Sequence, residues 1–526
     1  MKIICYDRNV VKNRHSNERS QPEFMNQRKL GIFLSYLNII LHAVIGFLYV
    51  PILLHYIGKS EYGLYQLMGS LIAYFGVMDF GLSAAVIRFY TKYKTEGNTE
   101  GMENILAISM RCYGVVTVLA LSIGGICYQF LDQIFGRSMT VGELAEAKSI
   151  FLLLLLNIVI TLSTMVFRSV INAHEKFLFL KGLETVQLVM QPVLVILLLQ
   201  RHPSAFTVAA VQTALNLGLS LSRLFYCKFS LKVRIRFHAW DKQLFKEFKR
   251  LALSVFVVTL IDQVFWKTNQ IILGIVDGTG AVAVYSLSSL IYSNYMALSM
   301  AISGVYLPYV TGMVARREPI SALSRLFCQI GRWQYYLLAL VATGFIIFGR
   351  QFICMWAGEG FLDAYWITIL IILPFTIDLI QNVGLSILQA MNRYDSRARV
   401  YFCTGLLNLC LAIPLAIRFG GIGCAFATGL SMFLGNGVVM NWFYKKYIGL
   451  DIPSFWRQIG QITIPVLLCL GIGAAGNEWI AGTGKMLFVG KVLGYTVFYG
   501  VVIYRLALNE EEKEKIRGIV GKVVRR

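Results

Sequence analysis

Acidic residues are scarce in this chain. Asp and Glu number 28 against 49 Lys and Arg, and all four together make up only 15% of 526 residues that are 57% hydrophobic. So little charge leaves too little polar surface to cover a water-soluble core, which excludes an ordinary globular protein and makes lipid the main solvent. Paired cysteines are missing too. The ten cysteines include no CxxC and no Cys/His spacing of a metal site, so neither a disulfide framework nor a zinc centre is expected. The first 29 residues are polar and basic and lack the short apolar core and small-residue cleavage site of a signal peptide. No connection between apolar stretches is large enough for a soluble catalytic domain, which argues against an enzyme working at one membrane face.

What fills the chain is apolar runs of ~20 residues or more, long enough to cross a bilayer as helices and too unbroken for barrel strands. The expectation is an all-α integral membrane protein of about fourteen transmembrane helices. A shift of ~220 residues lays the sequence over itself: Gly58 falls on Gly278, Tyr65 on Tyr285, Leu67 on Leu287, Ser83 on Ser303 and Thr91 on Thr311. Arg111 and Arg332 correspond one residue out of register, and Ala173, Lys176 and Phe177 match Ala390, Arg393 and Tyr394. The repeat divides the chain into a basic tail over 1–29, a six-helix lobe over 30–229, an amphipathic linker over 230–247, a second six-helix lobe over 248–447, a helix pair over 448–506 and a basic tail over 507–526. Two pseudo-symmetric lobes are the usual construction of a transporter that opens alternately to the two sides of a membrane.

A net charge of +21 invites a nucleic-acid reading, but the positions of the cations decide against it. They gather before the first span, after the last and in every second connection, as at Lys92 and Lys94, Lys176 and Lys181, Arg223 to Arg250, and Lys445 and Lys446. The positive-inside rule then puts both termini in the cytoplasm, which requires an even number of spans.

Ionisable groups inside spans cost ~2.5 to 3.5 kcal/mol each on insertion scales, so those that remain usually face a cavity or a partner. Here they are Asp79, Arg88, Arg111, Arg168 and Glu184 in the first lobe and Asp262, Lys267, Arg332 and Asp378 in the second. Asn157, Thr161, Thr164 and Arg168 share one helical face; Glu184, Gln187 and Gln191 form another polar stripe, as do Gln263, Lys267 and Gln270, and Asp378, Asn382, Ser386 and Gln389. The stripes are expected to line a wet cavity, with Arg88, Arg111, Arg168, Lys267 and Arg332 binding an anionic substrate group. Asp79, Asn157, Glu184, Gln187, Asp262 and Asp378 are the polar or ion-coupling candidates. The arginines, at the cytoplasmic ends of their spans, can equally snorkel to headgroups as helix anchors. Asp79 and Asp378 can be structural anchors, ion ligands or counter-ions.

The segment PILLHYIGKSEYGLYQLMGSLIAYFGVMDFGLSAAVIRF from Pro51 to Phe89 resembles the opening of the polysaccharide biosynthesis flippases of the multidrug/oligosaccharidyl-lipid/polysaccharide exporter superfamily. QIILGIVDGTGAVAVYS from Gln270 to Ser286 and LQAMNRY from Leu388 to Tyr394 carry a weaker likeness. The resemblance implies a bacterial inner-membrane protein that moves a lipid-linked oligosaccharide, commonly on an isoprenoid pyrophosphate, from the cytoplasmic to the external leaflet by alternating access. It implies a lipid-linked glycan and membrane lipids as partners, with a polysaccharide polymerase or export machinery beyond them, and neither nucleic acid nor a cofactor other than a coupling ion. It also implies an acidic residue near position 269, where this chain has Asn269. The alternative on the same superfamily fold is a cation-coupled drug or metabolite antiporter.

Overall fold

The computed structural model describes residues 21–239, 242–391, 393–480, 482 and 484–524. The tail over 1–20, Trp240 of the expected linker and the last two arginines lie outside the described residues. Among the described residues there is no strand. Two compact units, 1–263 and 264–526, divide the chain, with the division falling inside a helix rather than in the 230–247 connection.

In the first unit, α1 (Gln21–Gly76) bends at Gly58 and ends in a 3₁₀ turn at Val77–Asp79, followed by α2 (Leu82–Thr95). Then come α3 (Thr99–Phe135), α4 (Val141–Ala173), α5 (Phe177–Leu199) and α6 (Ala205–Phe225), whose last turn widens to a π-helix over Tyr226–Ser230. Side chains written into the sequence start these helices. Asn98 accepts from Gly101 N at the head of α3, Thr140 and Glu143 form a reciprocal capping box on α4, and Ser204 caps α6. A 56-residue helix would reach about 84 Å, far beyond a ~30 Å hydrocarbon core, so α1 holds two crossings joined at Gly58. Gly58 has φ 75° and ψ 179°, a conformation essentially confined to glycine.

α7 (Lys242–Val276) leads into the second unit, which continues with α8 (Gly278–Ser303), α9 (Leu307–Ala315), α10 (Ile320–Trp356), α11 (Asp363–Leu379), α12 (Val383–Ala390) and α13 (Tyr394–Met432), bent at Gly420. A π-helical stretch, Phe433–Val439, and the short α14 (Met440–Phe443) complete that run. The last elements are α15 (Ile452–Trp479), α16 (Lys485–Leu506) and α17 (Glu510–Val524). Tyr336 and Phe348 of α10, Ile462, Val466 and Cys469 of α15, and Tyr495 and Tyr499 of α16 share one apolar core, so the terminal helices pack on α10. Large side chains left outside, such as Val115 and Val118 of α3 or Leu467 and Ile472 of α15, are those that lipid would cover. Among the described residues eleven helical runs are long and apolar enough to cross a membrane; two of them, Leu37–Thr95 and Arg397–Ile448, are 59 and 52 residues long and contain the Gly58 and Gly420 bends. The chain is a multi-pass membrane protein.

Backbone turns recur at the spacing of the sequence repeat. Gly58 and Gly278 have φ of 75° and 79°, Gly97 and Arg317 69° and 53°, and Lys232 and Gly449 51° and 83°. Hydrogen bonds recur as well. Tyr65 donates to Gln212 of α6, and at the corresponding place in the second unit Asn269 joins Tyr285 to Thr428 by bonds of 2.8 and 2.7 Å.

Candidate functional site

The polar face of α4 meets a matching face on α6. Asn216 donates to the Asn157 side chain (2.8 Å), the Asn157 carbonyl (3.3 Å) and the Thr161 hydroxyl (2.8 Å); Asn157 donates to Thr213, and Thr164 to Ser220. Asn157, Thr161 and Thr164, expected on a cavity-lining stripe, are half-buried and share hydrogen bonds with the neighbouring helix. Interhelical bonds of this kind hold membrane helices together where apolar burial gives no preference over lipid.

One turn beyond Thr164 and Ser220, the zipper brings charges together. Arg168 of α4 donates to Glu184 of α5 at 2.9 Å, and Lys181, one turn earlier on α5, donates to the other oxygen of Glu184 at 2.8 Å. Arg223 of α6 lies in the electrostatic field of both Arg168 and Glu184. It is 9% exposed, and its Nε is buried without a hydrogen-bond partner. Asn38 of α1 steadies α5 here by donating to the Lys181 carbonyl and accepting from Thr185. The cluster therefore sets three cations against one carboxylate. Helical spacing singles out Arg168 and Glu184; Lys181 and Arg223 read in the sequence as cytoplasmic cations that set topology, and the signal that marks them is their position one turn from a polar stripe.

Other expected residues do not join this cluster. Asp79 accepts from Ser83 (2.7 Å) and from Tyr113 of α3 (2.5 Å), anchoring the turn that interrupts the second crossing. The corresponding place in the second unit has a similar construction with neutral groups, Gln334 of α10 donating to Ser299 of α8 at 3.0 Å. Arg88 is exposed on α2. Arg111 is exposed too and lies 3.8 Å from the centre of the Phe237 ring. Phe237 belongs to an irregular stretch over 231–239 that α3 also holds through Asn104, which bonds the backbone of His238 and Ala239, and through Glu103, which pairs with His238 at 2.9 Å. Gln187 is half-buried on α5 and makes no hydrogen bond among the described residues. Asp262 is half-buried on α7.

In the second unit Lys267 is half-buried on α7, with no hydrogen bond or ion pair among the described residues. Asp378 lies in the field of Arg397. Asn269, in place of the acid that the resemblance implies, is 2% exposed and donates to both Tyr285 and Thr428 in a knot that reaches Asn408.

Arg332 is committed elsewhere. Its guanidinium is 7% exposed and forks onto Glu512 of α17, with Nε at 2.8 Å from one carboxylate oxygen and Nη2 at 2.7 Å from the other. Tyr336 donates to the same carboxylate, and Asn509 and Glu512 cap α17 reciprocally. Burial pushes the Glu512 carboxyl up, but the Arg332 hydrogen bonds, the Asn509 N–H and the arginine charge outweigh it and hold the group below its ordinary 4.5. No spacing rule reaches a partner 180 residues away. Among the described residues no three His, Cys, Asp or Glu side chains gather as a metal site would require.

A family model for polysaccharide biosynthesis proteins matches residues 29–314, more than half of the chain. Over 252 residues the chain is 25% identical to a candidate low-salt glycan biosynthesis flippase of Haloferax volcanii, a match covering 47% of this chain and only about half, 51%, of that relative. A candidate O-antigen transporter of Shigella flexneri is 19% identical over 411 residues, 74% of this chain and 91% of its own. Among solved structures, the lipid II flippase MurJ in an inward closed conformation superposes with a TM-score of 0.70 at 15% identity, covering 90% of this chain and 99% of MurJ. An inward-facing multidrug-resistance MATE transporter gives 0.61 at 11% identity, with 78% and 95% covered. At such identities these likenesses carry the fold. With the match over 29–314, the chain belongs to the polysaccharide biosynthesis protein family and has the MurJ/MATE fold.

Proposed function

We propose that the protein is a flippase that carries a lipid-linked oligosaccharide, its sugars joined to a polyprenyl pyrophosphate, from the inner to the outer leaflet of the cytoplasmic membrane for export of a cell-surface polysaccharide. The observation that carries this reading is the family match over residues 29–314. It is supported by the names of the relatives, a glycan biosynthesis flippase and an O-antigen transporter. Fourteen crossings, six in each copy of the repeat, with both termini in the cytoplasm, complete the reading. Alternating access is the mechanism that such internal repeats serve.

The chemistry is that of a large anion entering a place of low dielectric. A pyrophosphate needs compensating charge there, which arginine provides as planar paired donors and lysine as a point charge. Arg88, Arg111, Arg168 and Lys267 are available for this, since none is enclosed by a carboxylate as Arg332 is by Glu512. Neutral sugars would be met by water and by unpaired amides such as Gln187, while the polyprenyl tail stays in lipid. Nothing in this cycle requires a covalent step, so the protein works as a transporter rather than an enzyme.

Ligand-dependent stabilisation tests the substrate class. Whatever binds only the folded protein raises its melting midpoint with concentration. A polyprenyl-pyrophosphate-linked oligosaccharide should raise it in a saturable way. Stabilisation by cationic drugs with none by the lipid-linked glycan would overturn the reading in favour of the antiporter.

A further inference from the structure

A guanidinium nitrogen buried without a hydrogen-bond partner is an anomaly that needs a cause, because burying a polar charged group is costly unless it is bonded. Arg223 Nε is such a group. The nearby carboxylate of Glu184 is already divided between Arg168 and Lys181, one oxygen to each. Geometry keeps the three cations in place. The Thr164–Ser220 bond, 3.1 Å long, fixes α4 against α6 one turn away, and Phe179 of α5 stacks on Tyr226 of α6 with ring centres 4.0 Å apart. Arg168 is exposed, giving the cluster an open side.

We propose that Arg168, Lys181 and Arg223 form a phosphoryl-binding site within the first unit, and that Glu184 is its built-in, displaceable occupant. A phosphate or diphosphate brings more negative charge and more acceptor oxygens than one carboxylate, so it satisfies Arg223 while taking over the bonds to Arg168 and Lys181. Glu184 hydrogen-bonds two of the cations when the site is empty, leaving the cluster with excess positive charge. As the place where the lipid-linked diphosphate is held, the site rests on the flippase reading. As a phosphoryl site, it rests on the geometry alone.

The test uses the full chain in phosphatidylcholine nanodiscs titrated with farnesyl diphosphate. Saturable binding is expected. Loss of a hydrogen-bonded charge should weaken it about tenfold or more in Arg223→Gln and in Arg168→Gln. Glu184→Gln should bind more tightly than the parent, a gain that a merely structural ion pair would not produce. Unchanged affinity in both arginine variants, or weaker binding in Glu184→Gln, overturns the site. Correctly folded Glu184→Gln protein decides the matter even if Arg223→Gln does not fold. A second arm adds phosphatidylglycerol to the nanodiscs. A rightward shift of the titration in the parent but not in Arg223→Gln identifies a phospholipid headgroup as a natural occupant, and its absence identifies the diphosphate of the carried lipid; both keep the phosphoryl chemistry. Failure of the parent to move a lipid-linked glycan, with diphosphate binding intact, would remove the flippase reading and leave the site. Normal transport with binding indifferent to all three substitutions would remove the site alone.

Discussion

Replacing Glu512 by glutamine keeps its shape and removes the charge that Arg332 needs. Glu512 is 1% exposed and accepts from Arg332 Nε and Nη2, from the Tyr336 hydroxyl and from Asn509 N, at 2.8, 2.7, 3.1 and 3.0 Å. Breaking a buried pair from one side costs about 3 to 5 kcal/mol, because a charge is left without compensation. Most of that cost should fall on the docking of α17, whose first turn holds the carboxylate and whose Ile516 packs on the core shared by α10, α15 and α16. Hydrogen exchange of the α17 amides in nanodiscs reads it directly. A loss of 3 kcal/mol or more corresponds to a fall in protection on the order of a hundredfold or greater. Because a buried pair can be replaced by apolar groups at little net cost, Arg332→Met with Glu512→Met should recover most of the protection. The pH dependence has a definite sign. A carboxyl held below its ordinary value contributes fully above 4.5 and loses that contribution as pH falls through the depressed value, so protection corrected for intrinsic rates should stay level between about pH 8 and 5. Exchange in Glu512→Gln within threefold of the parent would refute this account of α17.

Asn216→Ala removes three donated bonds from the α4–α6 zipper, which at roughly 0.6 kcal/mol per interhelical bond should cost about 1 to 2 kcal/mol in detergent unfolding titrations; an unchanged midpoint would contradict it. Gly435→Ala puts a Cβ onto the Thr404 hydroxyl, an overlap expected to cost about 1 to 3 kcal/mol by thermal melting and to be relieved when Thr404→Ala is added; an equal loss in the double variant would refute the clash. The His174 ring, in the turn between α4 and α5, is held down to about 4 by burial and by the Lys94 and Lys176 ammonium groups, so its stabilising contribution is complete above 6.5 and is lost as pH falls through the folded value. His174→Asn should therefore show a smaller fall in melting midpoint than the parent between pH 7 and 4, and parallel falls would remove the histidine from the explanation.

Much of the fold was legible because lipid simplifies the code. Apolar runs marked the spans, and the Gly58 to Gly278 correspondence marked turns that share a positive φ. The number of separate helices was less so, because a span boundary can be a single non-helical glycine inside continuous hydrogen bonding, as at Gly58 and Gly420. Polar periodicity identified the right face of α4 but not what that face touches, and the same stripe suits a neighbouring helix as well as water. Arg332 was visible as a membrane cation and Glu512 as one acid in a basic tail, yet only folding brings them together. In the sequence Arg223 is one more cation at the end of a span, which the positive-inside rule already explains, and burial is what distinguishes it. For Asp79 the sequence leaves anchor, ion ligand and counter-ion open, and only the fold shows that it accepts hydrogen bonds from Tyr113 and Ser83.

Transport of the lipid-linked glycan itself is the most direct test. The protein is reconstituted into vesicles with a polyprenyl-pyrophosphate-linked oligosaccharide, and an enzyme that trims the glycan is added outside. Protein-free vesicles should lose only the outer-leaflet half of the substrate, whereas vesicles with the parent protein should lose nearly all of it, and Arg168→Gln or Lys267→Gln protein should do so far more slowly. Trimming that stops at half with the parent protein, or proceeds as fast when Arg88, Arg111, Arg168 and Lys267 are all neutralised, would contradict a flippase that recognises its cargo by the phosphate.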